Sequence, residues 1–270
     1  MNNIKKLSMR IRLTILETIF KAKTGHIGGS FSCVDILIVL FFKKIIFFNS
    51  LKPKMKNRDR FILSKGHATA ALYSTFAHLK FIRFEELSTY CSNNSRLGSH
   101  PSHLVPGVEI ETGSLGHGLP ISCGIAYAAL KDKKNFKIYT LISDGEIFEG
   151  STWESFIFAS HHKLSNLVII IDNNNQIVMD YSKKIGDLNN LKNKLSNFNF
   201  DVLEIDGHNL SSLEKSLKKS KRNKKTTVII ANTVKGKGVS FMEKNVKWHH
   251  SIPNKEEYLL AKKELEKKLI

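Results

Sequence analysis

Four apolar segments in the second half of the chain, residues 137–143, 167–172, 201–205 and 227–232, limit its fold more than anything else in the sequence. Most are continuously apolar instead of alternating, the pattern of strands covered on both faces. Helical stretches, 149–163 and 210–219, lie between them. Strand alternating with helix implies crossover connections, and these build a parallel sheet. Upstream, Ile4, Leu7, Ile11, Ile15 and Ile19 recur at spacings of three and four, which predicts an amphipathic helix over 3–23. Phe61-Ile62-Leu63 is a short apolar run followed by a helix-like stretch at 68–80. No internal repeat, low-complexity linker or boundary interrupts the pattern. The expectation is one α/β domain over residues 1–270, a parallel sheet flanked by helices.

Composition then removes several function classes. The 270 residues suffice for a sizeable core, and 41% hydrophobic with 24% charged residues is ordinary for a soluble globular protein. No run reaches the roughly 18 apolar residues of a membrane span. The densest, 36–48, is interrupted by Lys43 and Lys44 and reads as a buried helix and its connection. The start, Met1-Asn2-Asn3-Ile4-Lys5-Lys6, has no apolar signal core. Cys33, Cys91 and Cys123 are scattered without metal-like spacing, which suits a reducing, cytoplasmic setting. A net charge of +18 invites a nucleic-acid reading, because Lys and Arg neutralise phosphates. The lysines are dispersed among Asn and Ile, however, and no zinc-finger, helix-turn-helix or RNP-like signature accompanies them. The densest cluster, 215–225, reads as a solvated helix end. Neither nucleic acid nor a membrane is expected as a partner.

Chemistry is expected where strands end. The first strand runs into Asp144-Gly145, the second into Asp172-Asn173-Asn174, with a helix between them. If these strands are neighbours, their ends lie roughly 5 Å apart. Asp144 and Asn174 would then share one small ion in the crevice where α/β sheets bind ligands. One carboxylate, one amide oxygen and a main-chain carbonyl leave positions for phosphate oxygens, as magnesium prefers. Each half alone is an ordinary turn, since Asp-Gly and Asn-rich loops are common. Weight comes from the set Asp144-Gly145, Glu149-Gly150 and Asn174, with Asn174 30 positions beyond Asp144.

Ser143-Asp144-Gly145-x-x-x-Glu149-Gly150, followed by Asp172-Asn173-Asn174, resembles the thiamine-diphosphate motif, usually Gly-Asp-Gly with a later Asn; Ser143 replaces the first Gly. The wider chain resembles the amino-terminal half of transketolase nearly end to end. Matching stretches are "KTGHIGGSFS" ending at Ser32, "DRFILSKGHATAALY" from Asp59, "GSHPS" from Gly98 and "PGVEIETGSLGHGL" from Pro106. Later come "DGHN" from Asp206 and "TVKGKGVSFMEKNVKWHH" from Thr233.

The resemblance implies a role for each matching residue. Asp144, Asn174 and the main-chain carbonyl of Gln176 would hold Mg2+ against the diphosphate of thiamine diphosphate. Gly145 would let the backbone approach a phosphate, and His67 and His249 would donate hydrogen bonds around the diphosphate and thiazolium. Gly113 and Leu115 would touch the aminopyrimidine. Glu149 would face the subunit interface and couple paired active sites. His26 and His100, with His249 beside them, would line the substrate channel and handle protons or hydroxyls of a sugar, work suited to imidazole near pH 7. The chain has 11 histidines, and a typical histidine is a surface or satisfied core residue; those at 26, 67 and 100 stand out by their Gly/Ser/Pro-flanked loops. Two departures are Ile27, where Pro is common, and His117, where Gln is common beside the pyrimidine loop.

By the same resemblance, the activity is transfer of a two-carbon ketol unit from a ketose phosphate to an aldose phosphate. In this family a second domain binds the pyrimidine and supplies a glutamate, and no segment here resembles it. After Trp248-His249 only a charged helical tail, 255–270, follows. The expectation is the split form of the enzyme, a heterotetramer in which a carboxy-terminal transketolase subunit completes the site. The alternatives are a deoxyxylulose-phosphate synthase, normally one longer chain, or the α subunit of a 2-oxoacid dehydrogenase, which lacks the "KGHA" and "GHIGG" loops. A non-catalytic basic scaffold is the alternative outside enzymes.

Overall fold

The computed structural model describes residues 2–178, 180–186 and 188–269. Among them, β1 (Arg60–Leu63), β2 (Ile138–Ser143), β3 (Leu167–Asn173), β4 (Asp201–Asp206) and β5 (Thr227–Asn232) form a parallel sheet in the order β1-β2-β3-β5-β4. The short run at 61–63 is therefore an edge strand, with Leu63 opposite Leu141. β2 and β3 are neighbours, Ser143 standing opposite Asp172, and Asp172 stands opposite Ala231 of β5. This register gathers the carboxyl ends of three strands into one crevice.

Strand side chains alternate between two cores. Tyr139, Leu141, Val168, Ile170 and Ile229 face one core, which α1 (Asn2–Ala22), α2 (Ile27–Phe42), α3 (Thr69–His78), α8 (Leu210–Arg222) and α9 (Lys255–Lys267) cover. Ile138, Ile142, Ile169, Ile171 and Val228 face the other, covered by α4 (Gly118–Lys131), α5 (Gly150–His161) and α7 (Leu191–Ser196). Successive side chains point to opposite faces, and in β2, β3 and β5 both faces are buried; the edge strand β4 is half-exposed, with Glu204 and Asp206 in solvent. Between β3 and α7 lies the single-turn α6 (Ser182–Ile185). α2 is buried from Ile27 to Phe41, the condition of a helix enclosed by other elements. Its first turn carries the residue before it, His26, to the carboxyl edge of the sheet.

α4 has no counterpart among the sequence expectations. Its sequence, GLPISCGIAYAALK, contains Gly118, Pro120 and Gly124, which intrinsic preference penalises in a helix. Pro120 falls in the first turn, where a missing N–H removes no helical hydrogen bond. Leu119, Cys123 and Ala126 bury against the sheet, and packing decides the conformation. The buried helix expected within 36–48 is α2, which begins nine residues earlier and ends at Phe42, and α6 and α7 have no counterpart either; the remaining elements lie within three residues of their expected limits. Ile270, the end of the expected tail, and Met1 lie outside the described residues. No helix among the described residues is long and apolar enough to cross a membrane. Cys33, Cys91 and Cys123 are free thiols.

A buried polar strut braces the sheet edge. Arg12 of α1 pairs with Asp35 of α2 at 2.8 Å and donates to the Phe31 carbonyl at 2.9 Å. Asp35 also accepts from Nδ1 of His208 at 2.8 Å, so Nε2 of His208 is the acceptor of the Val234 N–H, also at 2.8 Å. The strut thus runs from α1 to the residue before Lys235.

Candidate active site

A cavity of about 460 Å3 opens at the carboxyl edge of β2 and β3. His26, His67, His100, Gly113, Leu115, Gly145, Glu149, Asn174, Gln176 and His249 all border it. Asp144 is fully buried beside Gly145. His117 is exposed ahead of α4 and does not border the cavity.

The histidines come from four separate loops. The His26 ring lies 5.5 Å from His67, 6.1 Å from His100, 5.3 Å from His249 and 4.5 Å from His250, measured between centroids. A side chain at Gly113 would meet the His100 ring at 2.9 Å, so the 112–118 loop can approach that ring only as glycine. Burial first, then His250 and His100, lower His26 to about 4. Burial and Lys235 lower His249 to about 3, and burial and Lys65 hold His67 well below the usual range. Burial lowers His100 as well. Near pH 7 these rings are neutral, each with one N–H to donate and one nitrogen to accept.

At the strand ends, Asp144 Oδ1 accepts the Gly145 N–H at 3.1 Å, while Oδ2 is buried with no hydrogen-bond partner among the described residues. Burial and the neighbouring Asp172 raise Asp144 to about 7. Asn174 Oδ1 accepts the Gln176 N–H at 3.1 Å, an Asx turn that fixes both residues. Both polar side-chain atoms of Gln176 are buried and unpartnered among the described residues. No group of three His, Cys, Asp or Glu side chains among those residues is arranged to hold a metal. The magnesium expectation requires one carboxylate with amide and carbonyl oxygens; Asn174 and Gln176 border the cavity with Gly145, the residue after Asp144.

Two lysines of the site were not singled out by sequence reasoning. Lys65 is fully buried, ion-paired with Asp172, and donates to the Gly29 carbonyl at 3.0 Å. Asp172 also accepts from the hydroxyls of Ser32 and Thr233, which with Lys65 outweigh its burial and keep its carboxyl low. Lys235 borders the cavity and donates to the Gln176 carbonyl at 3.2 Å; burial and Lys65 lower it to about 8. Both lie inside quoted motifs, but in a Lys-rich chain nothing local marks which lysine is buried. Glu146 was missed too, although Ser143-x-x-Glu146 carries the capping-box spacing that could have found it.

This donor set suits a particular ligand chemistry. The Lys235 ammonium and neutral imidazole N–H groups favour an anion, and the unpaired Asp144 oxygen favours a cation. The backbone at Gly145 is open, since a side chain there would find only Ile177 and Ser143 at 3.5 and 3.7 Å. A diphosphate carried with a divalent ion fits both demands.

A doubly covered parallel sheet with a crevice at its carboxyl edge defines an α/β ligand-binding protein, and its likeness to transketolase structures makes it one of the thiamine-diphosphate-binding fold. The chain belongs to the transketolase family: the family described as "Transketolase, thiamine diphosphate binding domain" matches residues 4–267. One subunit of the apulose-4-phosphate transketolase of Phocaeicola vulgatus is 40% identical over 263 residues, covering 97% of this chain and 93% of that relative. The 6-deoxy-6-sulfo-D-fructose transketolase subunit SqwG of a Clostridium species is 36% identical, covering 95% of this chain and 94% of the relative. The crystal structure of transketolase from Campylobacter jejuni superposes with a TM-score of 0.92 at 33% identity over 98% of this chain. The chain spans 43% of that longer enzyme.

Proposed function

We propose that this chain binds the diphosphate end of thiamine diphosphate with Mg2+ and, joined by a pyrimidine-binding partner chain, transfers a two-carbon ketol unit between sugar phosphates. The observation that carries the proposal is the Asp144 carboxylate, buried with one oxygen unpartnered just past the paired ends of β2 and β3. An anionic oxygen left unpaired in a dry site is costly unless a ligand uses it. When bound, the cofactor supplies the nucleophilic carbon and the electron sink for the transfer.

The protein's own residues bind, orient and move protons. Asp144, Asn174 and the Gln176 carbonyl hold the ion, and Gly145 offers its backbone to a phosphate. His67 and His249 donate to the anionic end, and Gly113 with Leu115 borders the pyrimidine side. His26 and His100 hold or accept protons at substrate oxygens, which their neutral state permits. Glu149, exposed on the rim, suits contact across a subunit boundary.

The Phocaeicola and Clostridium relatives are both named as subunits of their enzymes, which supports a partner chain here. Ile121 of α4, Phe148 next to Glu149, and Ile157 and Phe158 of α5 are exposed apolar residues suited to an interface, and we read the assembly as a heterotetramer. The relatives' named sugars differ, so the substrate class proposed is a ketose phosphate donor with an aldose acceptor. Free thiols support a reducing, cytoplasmic location. The test is to purify this chain, assay ketol transfer from xylulose 5-phosphate to ribose 5-phosphate, and repeat with the partner. Activity is expected only in the mixture; robust turnover by the chain alone sinks the two-chain reading.

A further inference from the structure

We propose that Glu146 is a positioning residue: its carboxylate holds three cofactor-facing loops in one arrangement before any ligand arrives. Glu146 is fully buried and does not border the cavity, so it acts only through its neighbours. Oε1 accepts from the Ser64 hydroxyl and from the Gly116 N–H, the latter at 3.0 Å. Oε2 accepts the Ser143 N–H at 3.1 Å, and the Glu146 N–H in turn donates to the Ser143 hydroxyl at 3.3 Å.

Each donor belongs to a different wall of the cavity. Ser64 leads into Lys65 and His67. Gly116 lies in the loop that carries Gly113 and Leu115. Ser143 precedes Asp144 and Gly145. A carboxylate is an acceptor-only group, and here three donors converge on it away from water, where charge-assisted bonds are strongest.

Gly116 shows how tight the arrangement is. Its φ of +80° is left-handed, and a side chain there would lie 2.6 Å from Ser151 Oγ and 2.7 Å from Glu149 Cβ. Ser151 also donates its hydroxyl to the Gly116 carbonyl at 2.7 Å. Both sides of this glycine are therefore engaged by the 143–151 segment, its N–H by Glu146 and its carbonyl by Ser151. The loop cannot move away without stranding a buried N–H or the carboxylate itself. A wall fixed in advance spares the ligand the entropy of ordering it.

What the loops hold rests on the proposed function; that Glu146 restrains them does not. The full chain without ligand is compared with Glu146→Gln by amide hydrogen exchange. The Gln side chain must turn an NH2 toward one of the three donors. Exchange across 113–117 is expected to quicken at least about tenfold, while 168–171 of β3, which reports global opening, stays unchanged. Thiamine diphosphate with Mg2+ is then titrated calorimetrically, and its affinity is expected to fall about tenfold. Should Glu146→Gln not fold, Glu146→Asp, which keeps the charge at shorter reach, is read in the same way. Unchanged exchange at 113–117, or equal quickening at 168–171, overturns the restraint. Quickened exchange with unaltered cofactor affinity overturns its bearing on the cofactor. If the unmodified chain binds no cofactor even with its partner, the proposed function falls, and exchange alone still decides whether Glu146 restrains the loops.

Discussion

Lys235 donates to Nδ1 of His249 at 2.8 Å, and the same ammonium group reaches the Gln176 and Ile177 carbonyls at 3.2 and 3.3 Å. One cation thereby ties the Val246–His249 turn to the segment after β3. An ammonium has no lone pair to offer, so the proton of neutral His249 stays on Nε2. That tautomer gives His249 a hydrogen to donate.

Replacing Lys235 by Met should release this restraint. The pKa of His249 is expected to rise from about 3, yet stay below 6.5, because burial is the larger cause and remains. Losing charge-assisted bonds worth about 1.5–3 kcal/mol should weaken diphosphate binding roughly 10- to 100-fold. Histidine ring signals followed by NMR against pH test the first effect; an unmoved His249 would show that burial alone sets its value.

Asp144→Asn separates stability from binding. Its buried carboxyl is pushed up to about 7 and leaves one oxygen unpaired, so the ligand-free fold is under strain from that charge at pH 8. The amide should leave the ligand-free protein as stable or more stable, by about 1–3 kcal/mol. The rise in melting temperature caused by thiamine diphosphate and Mg2+ should disappear. A variant that still gains full thermal protection from both would remove Asp144 from the metal site.

His26→Ala and His100→Ala should behave differently from Asp144→Asn. If these rings handle substrate, turnover falls or the Michaelis constant rises by roughly 10- to 1,000-fold, while cofactor affinity is nearly kept. Steady-state kinetics on the assembled enzyme, paired with calorimetry, distinguish the two. Cofactor loss as large as in the Asp144 variant means the two histidines are misplaced.

Acid should destabilise the ligand-free chain earlier than carboxylates alone predict. His26, His67 and His249 all titrate below 6.5, so below that pH the unfolded chain takes up protons the folded chain refuses. Their stabilising contribution is complete above pH 6.5 and is lost as pH falls beneath it. Asp144 has the opposite sign: raised from 3.8 to about 7, it binds a proton in the fold first and adds stability as pH falls through 7. Glu146, raised by burial, acts in the same sense as Asp144, while His78 and His100, lowered by burial, add to the other three histidines. The histidines outnumber the two carboxyls, and the urea midpoint should be lower at pH 5.5 than at pH 7.5. A flat or rising midpoint over that range contradicts the neutral histidine cluster.

Much of the sheet was legible because its strands obey a local rule. Ile169, Ile170 and Ile171 are apolar in succession, and only a strand covered on both sides has use for that pattern. α4 was illegible for the converse reason: Gly118, Pro120 and Gly124 speak against helix, and only Leu119, Cys123 and Ala126 meeting the sheet overrule them. The candidate site was readable where a strand end names its residue, as at Asp144 and Asn174. It was unreadable at Lys65 and Lys235, which meet Asp172 and the Gln176 carbonyl tens of residues away; at Glu146 only the Ser143 capping box is local, and the contacts to Ser64 and Gly116 are not.

By itself, then, the sequence determined which segments are strands, which loops follow them and which side chains those loops carry, because hydrophobic period and turn chemistry act over a few residues. Only the tertiary structure decided the strand order β1-β2-β3-β5-β4, and with it the meeting of His26, His67, His100 and His249 from four loops. It also decided that Lys65 is sealed against Asp172 while most lysines stay in water. The physical reason is that burial and charge pairing are properties of position in space: a lysine far from Asp172 in the chain has no local feature that foretells the ion pair.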